Sequence, residues 1–183
     1  MQVFSQQTFQ LCYIGGMVNK DRINNTTGLF THSLVEILLH HEIIRAQRYP
    51  APLTLLRLAL HIRQGDYPHD LAHLLIAELL NTNLRDTDVP GHFDKDYIVI
   101  LPATPLLGGL TVASRLTHHA KILHPVEQGY DDHFDLAVCI GLSSHDGGNA
   151  MDADDLLRQA SVALDEAKRK GGHSVVSFNE LKK

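Results

Sequence analysis

The chain has 183 residues, of which 44% are hydrophobic and 20% are charged, a balance that predicts one soluble domain with a substantial apolar core. It contains no tryptophan and few other aromatic residues, so leucine, isoleucine, valine and alanine must supply most of that core. The formal net charge of −5 excludes the broad basic surface that general binding to nucleic acids or to anionic membranes requires.

The first part of the chain predicts a lead-in segment, a helix and a strand. Residues 1–26 have weak periodicity and end in a polar run, which indicates a linker before a domain at residues 27–183. From Thr31, the expected N-cap, apolar residues recur at helical spacing as far as Tyr49, where prolines stop the helix. The apolar run at residues 53–60 predicts a buried strand, although its leucines would also allow a helix.

The middle of the chain continues the alternation of helix and strand. Pro68 and Asp70 open a predicted helix with a leucine stripe that runs to Leu80. Residues 97–101, Tyr-Ile-Val-Ile-Leu, give the clearest strand signal in the sequence and are followed by a proline. A third helix is predicted from about Pro105 to His119.

The last part of the chain adds two strands and a helix. A strand is predicted at residues 134–140, and a turn-rich loop from Ser144 follows it. A helix then begins at Asp152 or Asp154 and ends at a glycine pair, before a final strand at residues 174–178. The order α-β-α-β-α-β-α-β predicts one α/β or α+β sandwich, with helices flanking a central sheet.

Cysteine and histidine usage bears on compartment and on metal binding. Cys12 and Cys139 are the only cysteines, so we expect a reducing, cytoplasmic environment and no thiolate metal site. Among 13 histidines, His69 and His73 have the i, i+4 spacing that can hold a metal, but no third ligand follows at a diagnostic spacing. Surface or hydrogen-bonded histidines are therefore the favoured interpretation, and no apolar run is long enough to predict a membrane span.

Several short segments, taken in order, resemble one protein family. Thr27-Gly28-Leu29 before a long helix resembles an opening D-x-L-T-G-L, and residues 93–102 fall on G-G-D-E-F-x-V-L-L-P. Cys139-Ile-Gly141 falls on S-I-G, and residues 156–171 resemble L-L-x-x-A-D-x-A-L-Y-x-A-K-x-x-G. Over roughly residues 24–178 the chain therefore resembles the GGDEF family of diguanylate cyclases. The resemblance implies a fold like that of nucleotidyl cyclases, with a five-stranded, mostly antiparallel sheet flanked by helices.

In that family two domains each bring one GTP, and metal-assisted phosphoryl transfer makes cyclic di-GMP. The metal needs hard carboxylate oxygens. On the resemblance, Ala59 and His61 replace the two acids of the first strand, and Lys95 replaces the metal-binding acid of the signature. An ammonium group repels a divalent cation at close range. We therefore expect no catalytic residues, no bound metal, no cofactor and no cyclase activity.

The signature is degenerate in this chain, and we expect it to form a hairpin. Phe93 and Asp94 replace glycines that let the backbone approach a phosphate closely, and Asp96 keeps a single negative charge. The five signature positions are Phe93, Asp94, Lys95, Asp96 and Tyr97. Asp70 and Lys168 fall on the family's guanine contact and phosphate-binding lysine, although a helix N-cap and a solvated helix-end charge are the favoured interpretations.

A separate ligand site is implied by an R-x-x-D pattern before the signature, at Arg85 and Asp88, where many family members bind their product. The family adds a second arginine on the following helix, which falls on Arg115. Two arginine forks and one carboxylate can hold phosphates and a guanine edge. The spacer after Asp88 is one residue shorter than usual and contains Pro90, which could rotate the arginine out of place.

Two functions follow from these residues. The first is an inactive GGDEF-like domain that acts in the cytoplasm as a cyclic di-GMP receptor for signal transduction. The alternative is a ligand-free module for protein interaction or dimerisation, with a second copy or another protein as its partner. Neither hypothesis involves nucleic acid, and an active cyclase is a distant third.

Overall fold

The structure, a computed structural model, describes residues 22–64, 69–122, 135–148 and 152–181. Within these ranges it forms one five-stranded sheet in the order β2-β3-β1-β4-β5. Neighbouring strands are antiparallel except for β4 and β5, which are parallel. The strands are β1 (Leu53–Gln64), β2 (Val89–Phe93), β3 (Asp96–Pro102), β4 (Asp135–His145) and β5 (Ser174–Ser177). The predicted five-stranded, mostly antiparallel α+β fold is confirmed.

Helices cover both faces of this sheet. They are α1 (His32–Arg48), α2 (His69–Asn83), α3 (Leu106–Ile122), α4 (Ala153–Lys170) and the short α5 (Phe178–Leu181). No helix in the described part of the chain combines the length and the apolar character needed to cross a membrane.

The central strand β1 shows why the sheet forms. It pairs with β3 on one side and with β4 on the other, so successive side chains enter cores on opposite faces. Leu56 and Leu58 pack with α2 and α3, whereas Leu53 and Leu55 pack with α1 and α4. All four leucines are at most 1% exposed. Burial on both faces explains why this strand has the continuous apolar sequence that also allowed a helix.

Helix boundaries follow the capping residues that the sequence suggested. Thr31 occupies the N-cap position of α1, although its hydroxyl donates to the carbonyl oxygen of Arg22 rather than capping the helix. The carboxylate of Asp152 accepts from the Asp154 amide at the start of α4. Gly171, with φ at +71°, ends that helix.

Strand β4 is longer than predicted, because it runs to His145 and includes residues assigned to a turn-rich loop. The extension pairs with β1 as far as Leu53. Its polar side chains are satisfied inside the fold: the hydroxyl of Ser143 donates to the Leu156 carbonyl oxygen at 2.8 Å, and the hydroxyl of Thr54 donates to that of Ser144 at 2.9 Å. Hydrogen bonding therefore permits serines in a buried strand.

The outer edge of β2 is covered by the segment that precedes α1. The Phe30 amide donates to the carbonyl oxygen of Pro90 at 3.2 Å, and the His92 amide donates to that of Phe30 at 2.9 Å. Ile23 forms a bridge to Phe30 on the other side. Because the Pro90 carbonyl faces this outer edge, its nitrogen does too, and the missing N–H costs no hydrogen bond to β3.

Candidate functional site

The signature residues form a tight hairpin between β2 and β3. Phe93 pairs with Asp96 across the two-residue turn Asp94-Lys95. Asp94 has φ at +54°, a region that glycine adopts readily and that few other residues occupy. Its amide donates to Nδ1 of His32 at 3.2 Å. The turn thus has a glycine-like backbone conformation with an aspartate side chain.

Phe93 turns away from the hairpin and into the core. Its side chain is buried beneath α1, and its ring stacks on that of His32 with 4.2 Å between centroids. The guanidinium of Arg57 lies 4.5 Å from the centre of the same ring. Phe93 therefore anchors the hairpin. Asp94, the other residue that replaces an expected glycine, has an exposed side chain and lines a cavity next to the hairpin.

Beside the hairpin, one carboxylate faces two cations. The Asp96 Oδ2 atom lies 3.6 Å from a terminal nitrogen of Arg57 on β1 and accepts from Lys168 Nζ of α4 at 3.2 Å. The same Arg57 nitrogen is 3.9 Å from Asp94 Oδ2. Lys168 is therefore more than a solvated charge at a helix end. Sequence reasoning missed Arg57, although a single charge within the apolar run Leu-Thr-Leu-Leu-Arg-Leu-Ala-Leu was a visible signal.

The described residues beside the hairpin do not fit the divalent metal that the family's reaction uses. Ala59, which falls on a family carboxylate, is buried in an apolar cluster that includes Cys139 and Ala163. Asp96 already has two counter-charges. In the ranges that the structure describes, no three His, Cys, Asp or Glu side chains come close enough together to hold a metal ion. The side chains of His61 and Asp70, and residues 65–68, lie outside the described residues.

A cavity of about 560 Å³ lies next to the hairpin. Its lining combines two imidazoles, a phenol, three charged side chains and two apolar ones: Leu60, Ala72, His73, His92, Asp94, Lys95, Asp96 and Tyr97. His73 Nδ1 is hydrogen-bonded to the Tyr97 hydroxyl, and His92 Nε2 to the Thr27 hydroxyl at 2.8 Å. His73 is thus hydrogen-bonded, whereas the side chain of His69 lies outside the described residues.

Burial shifts the pKa values of His92 and Tyr97, which line this cavity. Desolvation, followed by the charge of His73, lowers the pKa of His92 below its ordinary value. Desolvation and the Asp96 charge raise the pKa of Tyr97 above its ordinary value. Both groups are therefore held in their neutral forms at neutral pH.

The R-x-x-D segment forms a closed turn between α2 and β2. The Asp88 amide donates to the Arg85 carbonyl oxygen at 3.0 Å, and the Arg85 amide donates to Asp88 Oδ2 at 2.9 Å. Asp88 is only 4% exposed, whereas the Arg85 side chain is exposed. Burial raises the pKa of Asp88, while the backbone hydrogen bond and the charges of Arg85 and Arg115 act in the opposite direction.

Arg115 approaches this turn from α3. One of its terminal nitrogens donates to the carbonyl oxygen of Asn83, the last residue of α2, at 2.6 Å. One helical turn further on, Nδ1 of His119 is hydrogen-bonded to the side-chain oxygen of the same Asn83. The end of α2 is thus attached to α3, and the charge of Arg115 acts on Asp88. All three residues of the predicted ligand site lie in one region.

Comparisons with known proteins agree with this fold. The diguanylate cyclase SiaD of Pseudomonas aeruginosa, solved with its activator SiaC, is 21% identical and has a TM-score of 0.74, covering 94% of this chain and 67% of that chain. The GGDEF domain of DgcB from Caulobacter crescentus, solved in complex with c-di-GMP, is 13% identical with a TM-score of 0.76, covering 90% of this chain and 99% of that chain. At such identities the likeness shows the fold.

The FimX GGDEF domain of Pseudomonas aeruginosa is also similar, with 19% identity and a TM-score of 0.67 over 84% of this chain and 98% of that chain. No curated protein matches the sequence. The family model described as diguanylate cyclase, GGDEF domain, matches residues 23–174, which is most of the chain. The chain therefore belongs to the GGDEF family.

Proposed function

We propose that this GGDEF domain is a catalytically inactive, cytoplasmic receptor that binds cyclic di-GMP at Arg85, Asp88 and Arg115. The observation that carries the proposal is that the turn closed by Arg85 and Asp88 lies next to Arg115 of α3, whose guanidinium donates to Asn83 just before that turn. The ligand brings two phosphates and two guanines. Arginine forks bind phosphate or the acceptor edge of guanine, and a carboxylate accepts from guanine N–H groups.

The DgcB domain, which has a similar fold, was solved in complex with c-di-GMP, and this supports the choice of ligand. Arg85 has its side chain exposed at the surface, where a ligand can reach it without unfolding the turn. The turn itself is closed by two hydrogen bonds between Arg85 and Asp88, one between backbone groups and one from the Arg85 amide to the Asp88 carboxylate, so part of the site is formed before the ligand arrives.

The inactivity in this proposal is supported by the surroundings of Asp96. Its carboxylate is paired with Arg57 and Lys168, and the neighbouring Ala59 supplies no oxygen ligand. Incubation with GTP and Mg²⁺ or Mn²⁺, followed by chromatography of the nucleotides, is expected to yield no cyclic di-GMP. Turnover above a protein-free control that disappears in Asp96→Asn would show that the domain is a working cyclase.

The alternative is a ligand-free interaction or dimerisation module. The observation in its favour is that Asp88 and Arg115 have hydrogen-bond partners within the chain. Asp88 accepts from a backbone amide and is almost fully buried, and Arg115 donates to the carbonyl oxygen of Asn83. On this interpretation the residues stabilise the junction of α2, α3 and β2.

Isothermal titration with cyclic di-GMP separates the two functions. A receptor is expected to release or absorb measurable heat and to saturate in the micromolar range or below, with Arg85→Ala weakening the interaction. A wild-type protein that shows no heat well above micromolar ligand, while it is folded by circular dichroism, would leave the interaction module as the function.

A further inference from the structure

The network around Asp96 joins three elements that are distant in sequence. Arg57 comes from the central strand, Lys168 from the last turn of α4, and Asp94 and Asp96 from the hairpin. The Arg57 side chain is 8% exposed, whereas that of Lys168 is 42% exposed. One cation thus lies beneath the hairpin and the other at its rim.

Burial of the Arg57 side chain is unfavourable in free energy. A guanidinium loses strong hydration when it leaves water, and it is retained inside a fold when carboxylates and hydrogen bonds compensate for that loss. Here a terminal nitrogen lies within 4.0 Å of two carboxylates, but the buried Nε atom has no hydrogen-bond partner among the described residues. Its compensation comes chiefly from charge, and from the Phe93 ring that it overlies.

The charges in this network balance. Arg57 and Lys168 supply two positive charges, and Asp94 and Asp96 supply two negative ones. One divalent cation would bring the same positive charge to these carboxylates.

We infer that Arg57 and Lys168 act as an internal cation pair, which holds the signature hairpin to the sheet and keeps divalent metals away from its carboxylates. A metal ion that approached Asp96 would meet two positive groups within 4 Å of the same oxygen, and repulsion at that distance is strong even with partial screening. The hairpin is therefore stable without metal. This role is independent of cyclic di-GMP binding, because the pair, on β1 and α4, contacts the hairpin and not the R-x-x-D turn.

The direct test removes both cations and adds Mn²⁺. Electron paramagnetic resonance then measures the concentration of free Mn²⁺. The Arg57→Met/Lys168→Met protein is expected to bind Mn²⁺ at least about tenfold more tightly than the wild type, because two carboxylates lose their counter-charges. Adding Asp96→Asn to the same background should abolish the gain. The matched control is Arg158→Met/Lys170→Met, which removes two cations from the exposed side of α4, one of them paired with Asp155. It should leave Mn²⁺ binding at the wild-type level.

If the loss of Arg57 unfolds the protein, a variant that keeps Arg57 provides the deciding measurement. Lys168→Met alone removes a half-exposed cation and should still tighten Mn²⁺ binding measurably in an Asp96-dependent way. Amide hydrogen exchange of the hairpin should be unaffected by Mg²⁺ in the wild type and faster in Lys168→Met. Two results would overturn the inference: Mn²⁺ binding by the wild type that Asp96→Asn removes, or unchanged Mn²⁺ binding in the folded variants.

Discussion

The Arg85 amide donates to the carboxylate of Asp88, while the Asp88 amide donates to the carbonyl oxygen of Arg85. This reciprocal pair closes the turn and buries the carboxylate, and burial raises the pKa of Asp88 above its ordinary value of 3.8. An acid whose pKa is raised by folding contributes stability at low pH, and that contribution is lost as the pH rises through the folded pKa. At neutral pH the turn therefore holds a charge that folding does not favour.

Replacing that charge should separate stability from binding. In Asp88→Asn the amide oxygen can still accept from Arg85, so the free energy of unfolding at neutral pH should be equal or higher, by about 1 kcal/mol or less. The difference should shrink toward pH 4, where the wild-type carboxyl becomes protonated. Cyclic di-GMP affinity should fall about tenfold, because guanine N–H groups lose a charged acceptor.

Urea denaturation at the two pH values and isothermal titration would measure both effects. Asp86→Asn is the matched control, since Asp86 lies in the same turn with an exposed side chain and should change neither quantity. A marked loss of stability at neutral pH in Asp88→Asn would contradict the conclusion that burial of the charged Asp88 carboxylate disfavours folding.

The two arginines should contribute to ligand affinity through charge-assisted contacts. Arg85→Ala and Arg115→Ala are each expected to weaken cyclic di-GMP binding by roughly 1.5–3 kcal/mol, about ten- to a hundredfold. Arg85→Ala should leave the melting temperature nearly unchanged because the side chain is exposed, whereas Arg115→Ala also loses its hydrogen bond to Asn83. Arg158→Ala, an exposed arginine on α4, is the control and should bind like the wild type.

Gly141 should tolerate no side chain. A Cβ at this position would lie 2.0 Å from the Leu164 amide nitrogen and 2.4 Å from the Ala160 carbonyl oxygen, so α4 would have to move off β4. Gly141→Ala should destabilise the protein by about 1–3 kcal/mol or more. In Gly108→Ala the new methyl group would meet only side-chain atoms, and the change should stay within about 1 kcal/mol. Denaturant titration of both proteins would show whether the two effects differ as expected.

His92 should make stability depend on pH. Burial and the His73 charge lower the pKa of His92 below 6.5, and its neighbours Tyr97 and Thr27 supply no negative charge. A base with a lowered folded pKa contributes stability above its unfolded pKa, and that contribution is lost as the pH falls. The melting temperature should therefore drop between about pH 7.5 and about pH 5, and drop less in His92→Gln. His40→Gln, an exposed position on α1, should keep the wild-type pH dependence.

Some elements of the fold were predictable because their local pattern agrees with their tertiary environment. Strand β3 alternates between two buried faces with β-branched and aromatic residues, and α4 carries an apolar stripe between clear caps. Strand β2, Val-Pro-Gly-His-Phe, has almost no strand signal, because an edge position allows the proline and the glycine. It was expected only from the family resemblance. The division between residues 1–26 and 27–183 stays a prediction.

The two sites differed in predictability for a physical reason. Arg85 and Asp88 are the first and fourth positions of one turn, so their proximity is local and visible in sequence. The pairing of Arg57 with Asp96 depends on the register between β1 and β3 and on a hairpin almost 40 residues away, which local patterns do not encode. Asn83 and His119 were missed for the same reason, since their contact requires the packing of α2 on α3.

The segment at Phe30 that covers the outer edge of β2 has a consequence for self-association. An open strand edge is a template for pairing with another chain, and here Phe30 occupies those hydrogen-bonding positions on β2. Two folded copies therefore cannot join their sheets through β2, and within the described strands the other edge is β5, which is only four residues long. A chain that began after Phe30 would expose the edge at β2 and should aggregate or form strand-paired dimers at concentrations where the full chain does not.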